Sequence, residues 1–160
     1  MHPLRKIAMA CIVATALAVP VSSRADDAAS EHHIRHLMMA MFDKPDAPLD
    51  VGPVVIVDDR AIAGWTQGEM GGRALLRAGD DGTWTLVLCA GDGLKAAATL
   101  EQAGIPTAQA TAMATALAEA ERPLDPARLA LFSRFEGVVM MDEQGHHPDA
   151  HHAHGQGQGT

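Results

Sequence analysis

Apolar and polar positions along the chain change rhythm several times, and each rhythm predicts a different element. An almost unbroken apolar run spans Ile7 to Val21. From Glu31 to Phe42 the apolar residues Ile34, Leu37, Met38 and Met41 recur every three or four positions, the period of an amphipathic helix, with Ser30 placed to cap it and Asp26 to Glu31 as a polar lead-in. Prolines break Lys44 to Pro53. The pattern then becomes that of a meander: Val54 to Val57 as a buried strand, Asp58-Asp59 as a turn, and Arg60 to Thr66 as the returning strand. Gln67 to Gly72 forms a glycine-rich connection into Arg73 to Arg77. Gly79-Asp80-Asp81-Gly82 is a hairpin signal, and Thr83 to Cys89 closes the sheet. Strict alternation in that strand places Trp84, Leu86 and Leu88 on one face and Thr85, Val87 and Cys89 on the other.

Beyond Cys89 the rhythm is helical. Asp92 is placed to cap a helix over Gly93 to Ala103, which Gly104, Ile105 and Pro106 end in the manner of a Schellman motif, Ile105 reaching back to Leu100. Thr107 to about Arg122 is alanine-rich and poor in β-branched residues, which favours helix over strand. Asp125-Pro126 opens a third helix with Leu129, Phe132 and Phe135 as its inward stripe. The expected fold is α+β: an N-terminal helix, an antiparallel sheet of about four strands, then packed C-terminal helices.

The ends of the chain change this picture. Arg5 and Lys6 precede the first apolar run, which is shorter than the ~20 residues of a membrane span, and Ser23-Arg24-Ala25 offers small residues where a signal peptidase reads. Residues 1–25 are therefore expected to be a signal peptide, 26–142 a single domain and 143–160 a flexible, disordered His-rich tail. Without the leader, nine basic residues face twenty acidic ones, a charge of −11 with histidines neutral. That balance disfavours nucleic acid or an anionic membrane as partner and suits the attraction of cations. Only Cys89 remains in the exported chain, so no internal disulfide forms and the core must carry stability.

Candidate chemistry concentrates in histidine and methionine. The tail carries His146, His147, His151, His152 and His154 among residues too polar to fold. Imidazole, with an ordinary pKa near ~6.5, is mostly uncharged at neutral pH and offers a lone pair to a transition metal. Flexible imidazoles take Cu(II), Ni(II) and Zn(II) alike, with copper favoured by the usual affinity order. On the first helix, His32, His36 and Met39 line up opposite the apolar stripe, close to Asp43. Positions three and four apart are neighbours on a helix, so two imidazoles and a thioether can converge on one ion. Mixed His and Met donors suit copper, although a solvated polar face is the plain competing reading. Met140-Met141-Asp142-Glu143, leading into His146, forms a second cluster or merely the end of an apolar segment begun at Val138. Met38 and Met41 belong to the core stripe. Cys89 is expected to be buried and structural, with ligation to a soft metal as the alternative, while Glu69 and Met70 sit at a turn that lacks the Lys and Ser/Thr of a phosphate loop.

The stretch Trp65-Thr66-Gln67-Gly68-Glu69-Met70-Gly71-Gly72-Arg73-Ala74-Leu75-Leu76-Arg77, then Gly82-Thr83-Trp84 and Leu86-Val87-Leu88-Cys89-Ala90-Gly91-Asp92, resembles the small exported bacterial proteins called copper uptake system-associated proteins, over Glu31 to about Phe135. The resemblance implies a role in periplasmic copper handling but carries over no ligand or catalytic residue, and the His-rich tail lies outside it. The expectation is a periplasmic, non-enzymatic copper-binding accessory protein that serves a copper chaperone or copper transporter of the envelope. A structural adaptor without metal, and a generic zinc or nickel buffer, are its rivals.

Overall fold

The computed structural model describes residues 24–141. Residues 1–23 of the expected leader and the tail histidines His146, His147, His151, His152 and His154 lie outside that range, while the leader's last two residues, Arg24 and Ala25, fall in the first helix. Helix α1, Arg24–Phe42, starts upstream of Ser30, so Ser30 is an interior residue rather than a cap, and the expected lead-in is helical. The local chemistry favours the longer helix: Asp26 and Asp27 oppose the positive end of its dipole, and Ala28 and Ala29 are strong helix formers.

Five strands follow in a meander whose spatial order equals chain order, every pair antiparallel: β1 Leu49–Val57, β2 Arg60–Gln67, β3 Met70–Ala78, β4 Trp84–Ala90 and β5 Val138–Met140. The sheet departs from the sequence expectation at two boundaries and by one added strand. β1 begins at Leu49 and runs through Pro53, which follows a cis Gly52–Pro53 bond at an irregularity between Val51 and Val54. The proline is tolerated because β1 is an edge strand, where a missing N–H costs least. β3 begins at Met70, so Gly71 and Gly72 are strand residues and the connection shrinks to Gly68-Glu69. The fifth strand is formed by a segment far along the chain from the other four.

A bulge corrects the expected faces of β4. Leu75 lies opposite Leu88 while Leu76 lies opposite Leu86, which leaves Val87 as the extra residue. The alternation resets there: Trp84 and Leu86 point to the α1 side together with Cys89, whereas Leu88 joins Ala90 on the other face. On the α1 side, Ile34 and Met38 press onto Leu49, Val51, Ala61, Ala63, Ala74 and Leu76. The small residues at the sheet centre let the helix approach closely.

On the opposite face lie a short 3-10 turn, Asp92–Lys95, and helices α2, Ala97–Gln102, and α3, Thr107–Glu121. The single helix expected from Gly93 to Ala103 is thus broken at Ala96, which is extended. Asp92 caps nothing, because its carboxylate is engaged by Arg73 and Ser133. The α2 stop is as read from sequence: Gly104 has φ +85°, its N–H donates to the Glu101 carbonyl at 2.9 Å, and the Ile105 N–H donates to the Leu100 carbonyl at 3.2 Å. Helix α4, Pro126–Phe132, is capped by Asp125, which accepts from the Ala127 N–H at 2.7 Å. It ends at Phe132, so Phe135 is not part of its stripe; instead Phe135 packs edge-on to Trp65 on the α1 side, ring centroids 5.8 Å apart.

Candidate functional site

Helix α1 divides cleanly by face. Ile34 and Met38 are fully buried, Leu37 and Met41 pack against the same cluster, and His32, His36 and Met39 are exposed, Met39 to 39%. The three stand on successive turns of one helix whose other side is fixed to the sheet, so helix geometry makes each a neighbour of the next. Around them, Arg35 is tied to Glu31 by two hydrogen bonds of 3.1 and 2.7 Å, which occupies that carboxylate, and Asp43 accepts from the Leu49 N–H at 2.7 Å. That row therefore offers two imidazoles and one thioether, with the carboxylates of Glu31 and Asp43 already engaged. Among the described residues no group of three or more His, Cys, Asp and Glu side chains comes together to hold a metal ion, so any site here depends on methionine or on residues beyond the described range.

The opposite face of the sheet holds a buried polar cluster. Arg73, 1% exposed, donates from Nε and Nη2 to the two oxygens of Glu121 at 2.6 and 2.9 Å, and from Nη1 to Asp92 at 3.1 Å, with the Phe132 ring 5.2 Å from its guanidinium. Burial alone would raise the Asp92 carboxyl, but the Ser133 hydroxyl and the charges of Lys95 and Arg73 hold it below the ordinary range. The cluster ties β3 to α3 and to the 3-10 turn, with charge opposed by charge, and so reads as structural.

Between α1 and the β4–β5 end of the sheet lies a cavity of about 310 Å³, walled almost wholly by apolar atoms, among them Met38, Phe42, Trp65, Cys89, Phe135 and Met141. Cys89 is 5% exposed and desolvation pushes its thiol from 9.0 to about 12, which leaves it protonated and unreactive as a nucleophile. The buried indole Nε1 of Trp65 has no hydrogen-bond partner among the described residues. Sequence reading had Met38 as core and Met141 as part of a doublet with Met140. The structure separates that doublet: Met140 is 53% exposed, whereas Met141 turns into the cavity. Nothing in the sequence signals that Met38, Cys89 and Met141 meet, since about fifty residues separate each from the next.

Glu69 and Met70 lie at the β2–β3 turn, Met70 49% exposed and the Glu69 carbonyl accepting from Arg134 at 2.7 Å. Neither lines the cavity. Compared with protein-family models, curated proteins and solved structures, the chain matches none.

Proposed function

We propose that the protein is a non-enzymatic copper-binding accessory protein of the periplasm. In this reading, tail residues His146, His147, His151, His152 and His154 capture copper, and His32, His36 and Met39 hold it for transfer to a copper chaperone or transporter of the envelope. The observation that carries the reading is the exposed row of two imidazoles and a thioether on a helix anchored from behind by Ile34 and Met38. Thioether favours Cu(I), imidazole accepts either oxidation state, and neither requires a thiolate. Among the described residues no helix is long and apolar enough to cross a membrane.

Anaerobic titration with Cu(I) against a chromogenic chelator tests this. The intact protein is expected to compete for copper, the tail deletion to retain part of the binding, and a His32→Gln/His36→Gln/Met39→Leu triple variant to lose the site on α1. Affinity for Cu(II) should fall as pH drops from 8 to 5, because protons compete for the same lone pairs. A flat profile would remove imidazole ligation.

One observation favours the adaptor reading instead. β5 is an edge strand, its Val138 and Met140 are 55% and 53% exposed, and they border a groove of about 260 Å³ beside α2. Such an edge is suited to pairing with an extended segment of a partner. Absence of copper binding in every variant would shift the weight to that surface, whereas equal retention of zinc or nickel would indicate a generic buffer.

A further inference from the structure

We propose that the cavity between α1 and the β4–β5 edge is a separate, internal site for Cu(I), with Met38, Cys89 and Met141 as its sulfur ligands. The proposal rests on the copper reading above but uses none of the same residues.

Register brings the donors together. Val139 is the cross-strand partner of Cys89, and the Met141 N–H donates to the Val87 carbonyl at 3.0 Å, which continues the β4–β5 pairing one step past the strand. Met141 thus lies two positions beyond the residue opposite Cys89, on the same face. Diagonal neighbours of that kind have Cβ atoms within about 7–8 Å, a span a thiol and a three-bond thioether can close. Met38 comes down from α1 onto the same cavity. The donors come from three elements that the sheet and helix hold in place.

The surroundings select the ion. Three soft sulfurs without a carboxylate or imidazole favour Cu(I) over harder divalent ions. In an apolar cavity the net charge also matters. Binding exchanges the S–H bond of Cys89 for a Cu–S bond and releases the proton to solvent, with no change of oxidation state, so one Cu(I) and one thiolate leave the site neutral. Zn(II) on the same ligands would leave a buried positive charge, which is expensive in a medium of low dielectric. The cavity is also where packing and polar satisfaction are both incomplete: open volume adjoins Trp65, whose buried N–H has no partner among the described residues.

The test uses Cu(I) itself, with the purified protein titrated anaerobically and the ultraviolet thiolate-to-Cu(I) absorption followed beside chelator competition. Parent protein should show the thiolate band, and the His32/His36/Met39 triple variant should keep it. Cys89→Ser should abolish the band and remove one equivalent of copper. Met141→Leu, nearly volume-conserving and so expected to fold, should keep the thiol but weaken this equivalent by about 10- to 100-fold. If the band is absent from the parent, or Cys89→Ser binds as many equivalents as the parent, the internal site is overturned while binding through the α1 face and the tail stands or falls separately. Loss of all copper binding in the triple variant with the tail deleted would also overturn it. Uptake of an apolar fluorescent dye that Cu(I) does not displace would assign the cavity to another ligand and overturn it as well.

Discussion

At the scale of single residues, Glu121 and Cys89 show how burial changes what a side chain does. Glu121 faces Arg73 through a bidentate pair shielded from water on the α3 side of the sheet. Removing Glu121 leaves the buried guanidinium with only the exposed Asp92 as counter-charge, so Glu121→Leu is expected to cost about 3 kcal/mol in urea denaturation, and the double substitution Arg73→Met/Glu121→Leu to cost less than Glu121→Leu alone. Cys89 differs because no opposite charge offsets its desolvation. With its thiol at about 12 against an ordinary 9.0, Cys89 should be alkylated at pH 8 about a thousandfold more slowly in the folded protein than in urea. A raised thiol pKa means that the unfolded chain ionises first. The corresponding stability is fully present below pH 9 and is lost as pH rises from about 9 towards 12. The urea midpoint should fall over that interval in the parent and less so in Cys89→Ala.

At the scale of elements, two glycines mark different constraints. Gly104 has φ +85° and open space around its missing Cβ, so Gly104→Ala meets only backbone strain, about 1 kcal/mol. At Gly91 an added Cβ would lie 2.3 Å from the Phe135 carbonyl oxygen, which belongs to the segment that carries the chain from α4 to β5. Gly91→Ala should therefore destabilise more, by about 1–3 kcal/mol, and should do so by displacing Phe135 and β5. Thermal unfolding followed by circular dichroism would rank the two. The Schellman stop was legible from Gly104, Ile105 and Pro106 because its chemistry is local. The start of α1 was not, since Ser30 is a good cap by composition and only the continuation of the helix through Asp26 and Asp27 shows that it is not used.

At the scale of the whole molecule, the described fold stands on two apolar layers, α1 against one face of the sheet and α2 with α3 against the other, both built from residues within 24–141. Deleting His146 to Thr160 should therefore leave cooperative unfolding and its midpoint unchanged while lowering the number of copper ions captured. Loss of cooperativity, seen by differential scanning calorimetry, would show that the tail belongs to the folded unit.

Local and periodic signals in the sequence determined the α+β class, the apolar stripe of Ile34, Leu37, Met38 and Met41, the hairpin turns, the α2 stop and the Asp125 cap, because each depends on neighbours within a few residues. The exposed row of His32, His36 and Met39 was legible for the same reason. Only the tertiary structure decided where β4 resets its faces, that Pro53 sits within an edge strand, and that β5 closes the sheet. It also decided that Arg73 meets Glu121, and that Met38, Cys89 and Met141 share one cavity. The first two depend on register between neighbouring strands, and the others on pairing between segments about fifty residues apart. There the free energy of burial and register, rather than local preference, selects the partner.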